Sequence, residues 1–313
     1  MAMIVNGNHL ETIMAQSFFL PGDDCEPTYK YLRDMEHNAE MREFVEGLWD
    51  RYRPPHDWHF LRDARNNFQQ RFWEMYLYAA LQDQGLDPKK GKAAGPDFWV
   101  VVDGRRYWFE AVAPRKGEGP DRVPEYDFGS CEARVSPVDE IQLRYANAIN
   151  DKAKKWPVWI EKRRVQRDDG YVIAINGHGC NDFIDGKPPH FVKACLGIGE
   201  HVIGLDPRSG KIVDSFLEYR DSITKKSGEA VCIAPFLQEV FSCVSGVIHS
   251  LAYCWHPGSS LLEGIEFLHN PLAAIRLPDQ AVQGFRRYIF AEGRLTTINP
   301  DPAWPESPVL NMD

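Results

Sequence analysis

No run of about 20 apolar residues occurs anywhere in this 313-residue chain, so a membrane-spanning helix is not its organising element. The first apolar stretch is interrupted by Asn6, Asn8 and Glu11 and lacks the layout of a secretory signal, which makes a cytoplasmic protein the expectation. Positive charge is scarce: 36 Lys and Arg stand against 45 Asp and Glu, for a formal net charge of −9. That balance argues against a protein that coats nucleic acid over its whole surface. Cysteine offers no disulfide framework, because Cys25, Cys131, Cys180, Cys195, Cys232, Cys243 and Cys254 are odd in number, scattered and mostly set in apolar surroundings. Internal repeats are absent. What remains is 43% hydrophobic and 12% aromatic content, enough to bury a full core as one large domain or two small ones.

Periodicity divides the chain into three parts: a polar, helical appendage over 1–60, a main domain over 61–298, and an extended tail over 299–313 with four prolines. In the appendage, Glu40 to Trp49 has an amphipathic pattern that Arg53-Pro54-Pro55 ends. The main domain opens on a helix from Leu61 to Gln84, stopped by Gly85. Glu74 is the only charge in its apolar segment Phe72 to Leu81. A long loop is expected from Pro114 to Pro137 and a helix from Asp139 to Lys155. Strands are expected at Tyr171–Asn176, His201–Leu205, Ala230–Phe236, Ile265–His269 and Arg287–Phe290, while Phe241–Tyr253 reads equally as helix or strand. Alternating helices and strands predict an α/β fold around a mixed sheet.

Between the first long helix and the loop lies the most informative segment, Gly95 to Val112. Asp103-Gly104 separates two runs of β-branched and aromatic residues, which predicts a two-residue hairpin turn with Val102 opposite Arg105. Counting back, Asp97 falls opposite Glu110. Side chains so paired lie about 5 Å apart on one face, close enough for both carboxylates to share a divalent cation. A structural reading competes, in which Glu110 is a buried carboxylate paired with Arg106 or Arg71.

The order of helix Glu, Gly-Pro-Asp strand, hairpin, Glu-x-x strand and then a helix with amide and basic side chains resembles the PD-(D/E)XK restriction-endonuclease-like superfamily. Pro96-Asp97 and Glu110-Ala111-Val112 carry the resemblance, over about residues 60–180. It implies a restriction-endonuclease-like mixed sheet flanked by helices and Mg²⁺- or Mn²⁺-dependent cleavage of DNA phosphodiester bonds. Asp97, Glu110 and Glu74 would be the metal carboxylates, joined by the Ala111 carbonyl. Roles in defence against foreign DNA or in DNA processing go with such a domain, and a homodimer would be the simplest way to cut both strands. An activating partner protein would fit the acidic surface.

The family's strand lysine is missing, since Val112 occupies its position. Lys152 is the expected replacement: an 11-residue separation returns to within about 20° on a helix, so Lys152 shares the face of Ile141, Tyr145 and Ala148. Lys116 in the loop is the second choice. Gln142, Arg144, Lys155, Arg163 and Arg164 are candidate nucleic-acid contacts. From Lys152 to Arg167 seven basic residues meet one acid, interleaved with Trp156 and Trp159, a combination suited to phosphates and stacked bases or to a solvated helix end. The main alternative is a nuclease-like domain that binds nucleic acid or protein without cutting. Two weaker readings are a zinc site from His178, Cys180, Cys254 and His256, and a nucleophilic Cys180 beside His178.

Overall fold

The computed structural model describes residues 16–55, 57–92, 94–125, 136–182, 187–255, 258–298 and 310–311. Four helices come first: α1 (Pro27–Asp34), α2 (Ala39–Tyr52), α3 (Phe60–Ala64) and α4 (Phe68–Asp83). Helix α2 stops because Arg53 precedes proline and is driven into extended backbone at φ −69°, ψ 151°. The helix predicted from Leu61 to Gln84 is two, broken at Arg65-Asn66-Asn67. At the start of α4 the Phe68 N–H donates to Glu26 Oε1 at 3.0 Å, an end cap supplied from far along the chain. Gly85, at φ +80°, follows its other end.

Strands β1 (Lys89–Lys90), β2 (Phe98–Val102) and β3 (Arg105–Val112) follow, then α5 (Val138–Ala153), α6 (Lys155–Glu161), β4 (Gly170–Asn176) and α7 (His190–Leu196). After α7 come β5 (Ile198–Leu205), β6 (Ile212–Tyr219), β7 (Ser222–Thr224) and β8 (Ala230–Cys232). The last strands are β9 (Gly246–Ser250), β10 (Ile265–His269), β11 (Arg286–Ala291), β12 (Arg294–Ile298) and β13 (Leu310–Asn311). Nine of them make one mixed sheet in the order β1-β2-β3-β4-β9-β10-β11-β12-β13, with β3, β4 and β9 parallel. The segment left open between helix and strand, Phe241–Tyr253, supplies the central strand β9. No helix among the described residues is long and apolar enough to cross a membrane.

Alternation along the strands sorts the core into two layers. Phe98, Val100, Tyr107, Phe109, Ala111 and Ala174 face α4, which α2 backs, in one cluster with Trp49, Phe72 and Trp73. Trp108, Tyr171, Ile173 and Val247 face the other way, onto α5, α6 and α7. Of the appendage expected over 1–60, Phe18, Tyr29, Leu32, Trp49 and Tyr52 belong to one core cluster with residues of the sheet. Of the Pro-rich tail, only Leu310–Asn311 lies within the described residues, paired with β12.

Candidate active site

The hairpin takes the predicted register, with Val102 opposite Arg105 and Phe98 opposite Phe109. Asp97 is therefore the next residue out, on the side of Glu110. Its Oδ2 accepts the Ala111 N–H at 2.7 Å, and the Gly91 N–H donates to its carbonyl at 2.8 Å, so β1 and β3 clamp it from both sides. Gly91 is needed there because a Cβ would come 2.0 Å from the Pro96 carbonyl oxygen.

Glu110 is buried in β3, and its partners are neither Arg106 nor Arg71. Lys152 Nζ, from α5, donates to Glu110 Oε1 at 2.6 Å, and Lys155 Nζ from α6 donates to the same oxygen at 3.3 Å. The Tyr171 hydroxyl donates to the Lys152 carbonyl at 3.2 Å and fixes the end of α5. Val112, on the Glu110 side of β3, packs into the same layer as an apolar residue. Burial, then the charges of Glu110 and Glu74, hold the Asp97 carboxyl well above its ordinary range, against the pull of Lys152 and the Ala111 N–H. Burial disfavours the Lys152 ammonium, but Glu110 and Asp97 together hold the amine above its ordinary value.

Glu74 does not join this pair as a ready ligand. The Tyr52 hydroxyl donates to its Oε1 and Arg71 Nη1 donates to Oε2 at 2.9 Å. Each of its oxygens already accepts one hydrogen bond within the core, and among the described residues no group of three or more His, Cys, Asp or Glu is arranged to hold a metal. The Ala111 carbonyl also has a partner, Gln70 Nε2 at 3.1 Å, while Gln70 Oε1 accepts the Ala113 N–H at 2.8 Å. Gln70 thus braces the strand end one helical turn before Glu74.

The basic candidates separate. Gln142 is fully buried, and among the described residues neither amide atom has a partner, so it is not on a surface that a nucleic acid reaches, contrary to expectation. Arg144 lies beneath the loop, its guanidinium filling the space over Gly117. Lys116 pairs with Glu125, away from Glu110. Arg163 and Arg164 are exposed, and a Cβ on Gly95 would stand 3.8 Å from that of Arg164, which places this basic rim beside the approach to Asp97. Trp156 and Trp159 are buried, Trp156 stacked on Tyr171 with ring centroids 4.7 Å apart, and so they pack the core instead of offering faces to bases.

The thiol readings fail on burial. Cys180 and Cys254 are buried with their thiols pushed well up, the reverse of an activated nucleophile, and His178 stacks on Tyr253. His256 lies outside the described residues.

Two features were not anticipated. Lys90 stands close enough to Glu74 and Asp97 to feel both charges, and burial brings its amine down to about 6. A buried polar chain also runs behind α5. The Tyr145 hydroxyl donates to Asp182 Oδ2 at 2.6 Å and lies 3.1 Å from His249 Nε2, while Asp182 holds His190 Nδ1 at 2.6 Å. His249 Nδ1 then meets Glu266 at 3.1 Å. No spacing in the sequence joins these residues, which come from four separate segments. No family model, curated protein or solved structure matches this chain.

Proposed function

We propose that this chain is a metal-dependent nuclease of the restriction-endonuclease-like kind that hydrolyses phosphodiester bonds in DNA. The observation that carries the reading is the 2.6 Å contact of Lys152 with Glu110, which supplies from a helix the amine absent at Val112. Asp97 and Glu110 would hold a Mg²⁺ or Mn²⁺ ion. The fit rests on the raised Asp97 carboxyl, since two crowded carboxylates are relieved by a divalent charge, and on the carbonyl of Ala111, which keeps one lone pair beyond Gln70. Such an ion, when bound, lowers the pKa of a water and offsets charge on the scissile phosphate.

The protein's own groups do the rest. Lys152 is charged at neutral pH, so it acts as a hydrogen-bond donor and a fixed cation toward the phosphate or the attacking water, not as a base. Lys155 is half exposed beside it and can follow the phosphate. Arg163 and Arg164 would hold the backbone on the Gly95 side. DNA over RNA follows from the family resemblance alone.

The binding-only alternative keeps one observation in its favour, the engagement of both Glu74 oxygens by Tyr52 and Arg71. Cleavage decides between them. Supercoiled plasmid and linear single and double strands are incubated with Mg²⁺, Mn²⁺ or chelator, using wild type, Asp97→Ala and Lys152→Ala. Cutting that needs metal and is lost in both variants is the expected result. No cutting of any substrate, with no Asp97-dependent metal binding, would leave a scaffold and overturn the mechanism.

A further inference from the structure

At the far end of the hairpin from Asp97, strand β3 starts before its neighbour does. Gly170, the first residue of β4, stands opposite Tyr107, so β4 leaves the β3 edge bare at Arg105 and Arg106. A cleft of about 650 Å³ is walled there by the hairpin turn, by Gln166, Asp168 and Asp169 ahead of β4, and by Arg276 and Pro278 from the connection of β10 to β11. Adjacent residues on a strand point to opposite faces, but where the sheet stops both reach one notch. Arg105 and Arg106 do so, and Arg276 joins them. The Tyr107 hydroxyl, which Arg105 adjoins, donates to the Arg276 carbonyl at 2.9 Å and ties the two walls together. Arg106 lies over Trp99, its guanidinium carbon 4.5 Å from the ring centroid, and its Nε is buried with no partner among the described residues.

None of the three arginines has an ion-pair partner among the described residues. Two acids on the same walls are turned to partners of their own: Asp103 accepts Gln280 Nε2 at 2.7 Å, and Asp169 accepts Trp108 Nε1 at 2.8 Å and the Gln166 N–H at 2.9 Å. Asp168 stays at the exposed rim. Gathered guanidiniums repel one another unless an anion lies among them, and each fork matches two phosphate oxygens at once. We propose that this cleft binds a compact oligophosphate, the phosphate chain of a nucleoside triphosphate or a free one. Its volume falls within the range of small-ligand sites. Three cations in one concavity suit linked phosphoryl groups better than the spaced phosphates of a nucleic-acid backbone, which call for an open track. The site stands apart from cleavage, because Asp97, Glu110 and Lys152 lie at the other end of the hairpin.

Isothermal titration calorimetry on the full chain tests it, with inorganic tripolyphosphate and ATP titrated in metal-free buffer at about 50 mM salt. Tripolyphosphate is expected to bind wild type with a Kd below about 100 µM. Arg105→Gln and Arg276→Gln each remove one exposed fork and should raise that Kd about tenfold, while Arg105→Lys, which keeps the charge, should raise it less. Circular dichroism on each variant checks the fold. ATP bound as tightly as tripolyphosphate identifies a nucleotide as the source, and weaker ATP binding identifies a free oligophosphate; both carry the site. Fluorescence anisotropy of a labelled DNA duplex in the same buffer should not change with these variants. No tripolyphosphate binding up to about 1 mM, binding indifferent to both glutamine variants, or losses confined to the duplex would each overturn the proposal, whatever wild type does to plasmid with Mg²⁺.

Discussion

At the scale of single residues, the site concentrates groups whose charge states folding disfavours. Asp97 titrates above its unfolded value, so the folded protein holds that proton through a window where the unfolded chain has lost it, and stability falls as pH rises through the window. Asp97→Asn should therefore be more stable than wild type at pH 7 by denaturant unfolding. Millimolar Mg²⁺ or Mn²⁺ should raise the Tm of wild type and not that of the variant. Lys90 runs the other way. Its folded value of about 6 lies below the ordinary 10.5, so below pH 6 both states carry the proton and the burial penalty is complete. Above that, the unfolded chain keeps a proton that the folded one releases, and stability rises toward the ordinary lysine range. Lys90→Met should be more stable than wild type at pH 6, with the difference shrinking by pH 9. Asp97, Glu110 and Lys152 were legible in the sequence because a two-residue turn and a helical period are local rules. The engagement of Glu74 by Tyr52 was not, since the tyrosine lies 22 residues away and joins it only through packing. Lys90 is a dilysine in a short polar stretch, and only the sheet brings it to Asp97.

At the scale of elements, the hairpin and α5 followed their patterns, whereas α4 shows where pattern ends. One predicted helix spans α3 and α4, and the break at Asn66-Asn67 is set by Glu26 capping Phe68. Helix α7 and strand β6 escaped the reading, the first because seven residues hold barely two turns, the second because exposed Asp214, Ser215 and Glu218 blur its alternation. Gln142 misled because an amide on a helix reads as a surface contact, and its face is covered by later segments. The junction of β1 with β2 yields an element-scale prediction. Gly91→Ala brings a methyl against the Pro96 carbonyl, and backbone must yield. A loss of about 2 kcal/mol is expected on unfolding, together with loss of any metal-stimulated rise in Tm, because Asp97 is carried on the same peptide run.

At the scale of the whole molecule, the first helices are structural partners of the site. Removing residues 1–59 exposes the face of α4 that packs on α2 and strips Glu74 of Tyr52, so the shortened chain should lose its single cooperative transition in calorimetry. The amphipathic signal of 40–49 was visible in the sequence; that its apolar stripe meets α4 was not, since only tertiary contact assigns the partner of a stripe. Helix α5 carries a further consequence. Tyr145, tied into the buried chain of Asp182, His190 and His249, and Lys152, on Glu110, sit seven residues apart on one stiff rod, roughly 10 Å of axis. The helix is thus a single mount for two networks that share no side chain, and the spacing between them is fixed by its rise per residue.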